Sequence, residues 1–159
     1  MTAQLLSVQT GRIAPLGPDQ VPSGFVKTSR QGAVRVGLLG LEGDSQADLT
    51  VHGGAEKAVY AYAAAHYPDW AAQFPKLAAS FHGGAMGENL TVAGMTEADI
   101  CVGDVHAAGT ALLQVCQPRR AGPLDGRASG GYIDPVFSSL CRLHDSGRLE
   151  GGLAVLSDR

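Results

Sequence analysis

Apolar positions along this chain fall in short runs, and glycine, proline or an acidic turn residue cuts most of them off before a long helix can form. Gln4 to Val8 reads as a strand that ends near Gly11. Residues 14–24 hold Pro15, Gly17, Pro18, Pro22 and Gly24, and that density of breakers predicts a loop. Phe25 to Arg30 and Ala33 to Leu38 alternate as two arms of a hairpin about Gln31-Gly32. Ala58, Val59, Tyr62 and His66 share one helical face, with alanines between them, so a helix is expected after Gly53-Gly54. Pro68 ends it and suits the first turn of a second short helix through Trp70 and Phe74.

From Leu90 onward the pattern turns to strands. Ile100 to Val102, Val105 to Ala107 and Ala111 to Gln117 are apolar runs, with Gly103-Asp104 and Ala108-Gly109 as turns between them. Pro118 to Gly131 reads as loop, Pro135 to Leu143 as helix, and Gly152 to Leu156 as a closing strand. Many short strands around one helical insert predict a mainly β fold with α additions, a closed or nearly closed barrel with helices on its side. The 159 residues fit one domain spanning 1–159, large enough to bury a core without staples.

Composition narrows the function classes. A net charge of −3 gives no general attraction to nucleic acid or to a membrane surface, so an anionic ligand needs a local cluster of cations. Cys101, Cys116 and Cys141 are odd in number and widely spaced, which fits neither a disulfide framework nor a zinc site. The opening MTAQLLSVQTGR has no basic start and no long apolar run, so no secretion signal is expected, and a cytoplasmic location is.

Three places can carry chemistry. His52-Gly53-Gly54 with Lys57 puts flexible backbone and two donors before the expected helix, an arrangement that suits an anion; the alternative is an ordinary strand-to-helix turn. Glu88 and Asn89 offer an acid/base group and a group that both donates and accepts, or simply a turn leading into a strand. Gln117 and Arg119, with Arg120, follow the most apolar strand, where a guanidinium can grip phosphate at two points or merely be solvated. Cys116 either lines a pocket or packs as a small hydrophobe. No dinucleotide fingerprint, P-loop, nucleophile elbow or zinc-protease motif occurs.

Three blocks together resemble the MOSC domain family in its small bacterial form. They are GLEGDSQADLTVHGGAEKAVYAYA (residues 40–63), GENLTVAGMTEADICVGD (87–104) and LQVCQPR (113–119). The likeness is dense over residues 35–119 and thin on either side. It implies a β-barrel-like domain with helical additions. It also implies a link to the molybdenum cofactor, a pterin dithiolene with a phosphate, in the reduction of N-hydroxylated small molecules with electrons from a partner protein, or in sulfur transfer. By the same resemblance the pocket is formed by His52, Gly53, Gly54, Lys57, Glu88, Asn89, Gln117 and Arg119, whose cations and backbone amides hold the phosphate. His52, Glu88 and Arg119, as acid/base and anion-binding groups, are the catalytic candidates.

The chain departs from the family after Arg119. Members usually continue Gln-Pro-Arg, any residue, Pro, Cys, and that cysteine is the expected metal ligand or sulfur carrier. Here Gly122 takes its place, and Pro123 or Leu124 replaces the lysine that commonly follows. A soft metal prefers a thiolate, and sulfur transfer needs one. Cys116 is the remaining candidate ligand, about 20 Å from position 122 along an extended chain at about 3.3 Å per residue. Three readings follow: a molybdenum enzyme with a substitute ligand, a scaffold turned to metal-free lyase, isomerase or hydrolase chemistry through His52, Glu88 and Arg119, and a non-catalytic module that carries the cofactor.

Overall fold

The computed structural model describes residues 3–120, 136–142, 147–150 and 154–158, with side chains described through residue 118. Thirteen strands dominate the described residues. In chain order they are β1 (Ala3–Thr10), β2 (Ala14–Leu16), β3 (Val21–Ser23), β4 (Thr28–Ser29), β5 (Ala33–Gly37), β6 (Gly40–Leu41), β7 (Val59–Ala63), β8 (Leu90–Ala93), β9 (Val105–Ala108), β10 (Ala111–Arg120), β11 (Val136–Arg142), β12 (Gly147–Glu150) and β13 (Ala154–Asp158). Two short helices, α1 (Leu49–His52) and α2 (Tyr67–Gln73), and several 3-10 turns accompany them among the described residues, which are mainly β with α additions.

The main sheet runs β13-β9-β10-β11-β7-β8-β1-β4, and β13 also pairs with β1. Its pairs are antiparallel except β7 with β8. β5 lies between β6 and β12, and β2 and β3 form a separate hairpin. Leu5, Val8, Val36, Val59, Leu90 and Leu113 meet in the principal core. A second cluster gathers Tyr60, Tyr62, Tyr67 and Met86, with Trp70 and Phe81 packed against it.

β7 corrects the helix expected after Gly54. Its alternate residues serve both clusters: Val59 and Ala61 face the principal core, Tyr60 and Tyr62 the aromatic one. A strand buried on both faces loses the apolar/polar alternation that marks a half-buried one, and alanine filling made this one look helical. Pairing with β11 and β8 on its two edges decides the matter.

Other elements differ for similar reasons. Residues 136–142 form β11 instead of a helix, because β10 and β7 offer a ladder on each side. Pro15 and Pro22 sit opposite each other in the β2–β3 hairpin, where the loop was expected; proline is tolerated in such edge strands. The arms expected to pair about Gly32 take other partners, β4 joining β1 and β5 joining β6 and β12. Ile100 to Val102 is not a strand: the Asp104 carboxylate accepts the Cys101 amide at 2.7 Å and holds the segment as a turn. β1, β8 and β9 fall where expected, β10 runs on through Pro118 to Arg120 where a loop was expected, the closing β13 spans Ala154–Asp158 instead of Gly152 to Leu156, and Pro68 does open α2.

Candidate functional site

The residues singled out in the sequence separate into an exposed lip and a buried knot. The lip begins at Asp48, which caps α1 by accepting the Thr50 amide at 2.9 Å and the Thr50 hydroxyl at 2.6 Å. Those bonds, the hydroxyl first, hold the Asp48 carboxyl below its ordinary pKa. Every residue of α1 is exposed, His52 at its end included. The chain then turns through Gly53, where a β-carbon would lie 2.6 Å from the Leu49 carbonyl oxygen, and Gly54, at φ +97°. Neither position accepts a larger residue without strain.

The long helix expected here is a single 3-10 turn, Ala55–Lys57. Its dipole is correspondingly small, so any anion would depend on side chains and local amides. The Lys57 ammonium donates to the Val51 carbonyl at 2.5 Å and ties the turn back to α1. Gln117 reaches it from β10, its amide donating to the Glu56 carbonyl at 3.5 Å. His52, Gly53, Gly54, Lys57 and Gln117 therefore share one small region, although sixty residues of sequence separate Lys57 from Gln117. Arg119 follows on β10, its backbone opposite Phe137, and its side chain lies outside the described residues.

Glu88 and Asn89 belong to the knot. Glu88 is fully buried. Its carboxylate accepts the Gly84 amide at 2.6 Å, the Met86 amide at 3.1 Å, the Thr91 hydroxyl at 2.8 Å and the Tyr67 phenol. A carboxylate buried without water must find donors of this kind. Burial first, and then the adjacent Glu88 charge, push the Tyr67 phenol well above its ordinary pKa. Burial likewise raises Tyr62, although the Trp70 indole donates to its oxygen at 2.6 Å and pulls the other way.

Asn89 ties the knot to its neighbours. Its side-chain oxygen accepts the Tyr60 amide at 3.1 Å, and its nitrogen donates to the Gln9 carbonyl at 3.2 Å and to Asp44 at 2.9 Å. Asp44 also accepts the Gly11 amide at 2.8 Å and pairs with Lys27 at 2.6 Å. The side chains of that pair are only 5% and 7% exposed, so it is a buried ion pair. Gln9 donates to Ser7 and Thr91 on the far side. Asp44, Lys27, Tyr67, Thr91 and Gln9 were not singled out in the sequence. Asp44 was visible there only as one of two carboxylates in a glycine-rich turn, with nothing to pair it with Lys27.

Cys116 is half-buried on β10, its thiol 3.5 Å from the Gln114 carbonyl, and Cys101 is exposed. Gly122 lies outside the described residues. Among the described residues no group of three or more His, Cys, Asp or Glu gathers as a metal site, and no helix is long and apolar enough to cross a membrane.

Comparison with known proteins places these observations. The MOSC domain model matches residues 48–121, from the cap of α1 to just past β10. Protein YiiM of Escherichia coli is 43% identical over 114 residues, which are 72% of this chain and 50% of YiiM, so the chain spans half that relative's length. A protein named reductase from Gibberella moniliformis is 39% identical over 118 residues, 72% of this chain and 21% of its own. Among solved structures, YiiM of Geobacillus stearothermophilus superposes with a TM-score of 0.69 at 28% identity, covering 99% of this chain and 76% of that one.

Proposed function

The chain belongs to the MOSC domain family, and from that premise we propose that its lip holds the phosphate end of a molybdenum cofactor for the reduction of a small molecule. The observation that carries this reading is the meeting of two distant segments, the His52–Lys57 turn and β10, at the hydrogen bond from Gln117 to the Glu56 carbonyl. Gly53 and Gly54 let a ligand approach the backbone closely, His52, Lys57 and Gln117 bring donors to it, and Arg119 stands two residues after Gln117 in the sequence. The reductase relative favours a redox reaction over a hydrolytic one.

The two ends of such a cofactor meet different conditions. The phosphate end fits the lip. The metal end finds glycine where the family places its thiolate, and Cys116 is the one cysteine of the matched region on β10. When bound, the group supplies two-electron redox chemistry at its metal. The chain's own part is to bind and orient. Lys57 and Arg119 neutralise the phosphate, with Lys57 exchanging the Val51 carbonyl for it, and Gln117 fixes the turn against β10.

Glu88 and Asn89 serve as positioning residues. They tie the segment before β8 to β7 and β1, and Glu88 is fully buried, with three of its four donors on one carboxylate oxygen. That weighs against the metal-free reading, which has His52 and Glu88 facing one space, since His52 is exposed at the end of α1 and Glu88 is fully buried. An electron-donating partner protein completes the proposal. The cyclic run of pairings from β13 through β9, β10, β11, β7, β8 and β1 back to β13 supports a MOSC-type barrel behind the lip.

Purification from a host that makes the cofactor, followed by assays for molybdenum and released pterin, tests the reading. Wild type should retain pterin, and Lys57→Ala with Arg119→Ala should lower retention by about tenfold or more, since a charge-assisted contact contributes about 1.5–3 kcal/mol. Wild type that retains neither pterin nor metal, beside a cysteine-bearing relative that loads, overturns it.

A further inference from the structure

An open cleft of about 320 Å³ lies beside the lip. Ile13, Leu39 and Leu49 line it, and Asp44, Ser45 and Gln46 supply its polar side. The three apolar side chains are 49%, 70% and 69% exposed. One exposed leucine needs no explanation, but three large apolar groups gathered about one concavity mark a place where something apolar sits. The volume falls at the lower end of the usual range for small-molecule sites, about 300–1,000 Å³.

The cleft also adjoins the lip. Leu49 opens the helix that His52 closes. Gln46 donates to the Lys57 carbonyl at 3.3 Å, so one side chain borders the cleft and braces the phosphate-facing turn. A molecule seated among Ile13, Leu39 and Leu49 would lie next to whatever the lip holds.

The polar side restricts the charge of that molecule. Asp44 is neutralised by Lys27, and the Gly11 amide and Asn89 occupy its oxygens further. A cationic ligand would therefore compete with an existing buried pair. An anion would find no cationic side chain among the residues that line the cleft. The Ser45 hydroxyl and the Gln46 side-chain oxygen take part in no hydrogen bond within the described residues and can serve a ligand's donor and acceptor.

We infer that this cleft is the subsite for the body of the substrate, and that it selects an uncharged, compact apolar group bearing a hydrogen-bonding edge such as an amide. The inference rests on the proposed function only in calling the occupant a substrate; the binding itself is independent of the cofactor. Benzamide is a suitable probe, with benzoate and benzamidinium as its charged counterparts, followed by NMR on the full chain. Benzamide should shift the Leu39 and Leu49 methyl signals and the Ser45 and Gln46 amides, and either charged probe should bind about tenfold more weakly. Leu39→Ser and Ile13→Ser, both at exposed positions, should each weaken benzamide several-fold without lowering the melting temperature.

Equal binding of the charged probes would overturn the selection, and shifts elsewhere would overturn the site. Pterin retention measured on the same preparations separates the two proposals. A silent cleft on a pterin-loaded protein overturns this inference alone. A responding cleft on a protein that never retains pterin supports it and overturns the cofactor reading.

Discussion

The lip at residues 48–57 and the knot around Glu88 are both part of the pattern that marks the family, yet they are opposite kinds of structure. The lip is exposed, held by a few local bonds, and built on glycines that keep side chains out of the way. The knot is buried, and hydrogen bonds join it across β1, β7, β8 and α2, with Gln9 Oε1 left unpaired among the described residues. A residue in the knot acts on the lip only by keeping the scaffold in place, whereas a residue in the lip can change binding with little effect on the scaffold. A shared motif thus joins two separable roles, and substitutions can pull them apart.

The strongest break should come at Glu88. Glu88→Ala removes one carboxylate and orphans two amides, a hydroxyl and a phenol, a loss of about 3–5 kcal/mol. Melting should fall by on the order of 10 °C in calorimetry. Asp44→Ala follows, at about 3 kcal/mol, because Lys27 is left buried without its partner; denaturant unfolding should show a lower midpoint at unchanged slope. If either variant keeps wild-type stability while losing pterin, the division between knot and lip fails.

Tyr67→Phe should cost less, about 1–2 kcal/mol, since the ring stays and one hydrogen bond goes. It also bears on alkaline behaviour. The folded-state pKa values of Tyr67 and Tyr62 are both raised, so below about pH 10 each is neutral whether folded or unfolded and stability is indifferent to it. Above that, the unfolded chain gives up phenol protons that the folded chain keeps, and stability falls as pH rises. Melting followed from pH 8 upward should show this decline, shallower in Tyr67→Phe. The smallest stability effect belongs to Lys57→Ala, within about 0.5 kcal/mol by the same calorimetry, although the variant should lose most of its pterin retention.

How much of this was readable beforehand depended on range. β1, β8, β9 and β10 followed from local alternation, and α2 from Pro68 in its first turn. β7 and β11 did not, because their form is set by neighbours on both edges. The lip was legible because Gly53, Gly54 and Lys57 are adjacent in the chain. The knot was legible only as two letters, Glu88 and Asn89. The partners that define their role, Tyr67, Asp44 and Gln9, lie from 21 to 80 positions away, and no local pattern links them.

The pairing of β13 with both β1 and β9 also has a meaning in time. β1 leaves the ribosome well before the strand that covers one of its edges, because most of the described chain lies between Ala3–Thr10 and Ala154–Asp158. Synthesis at about 5–20 residues per second leaves that edge without its final partner for on the order of ten seconds, long compared with the collapse of a chain this size. The nascent protein must keep a bare strand edge from joining other chains until Ala154–Asp158 arrives to close it.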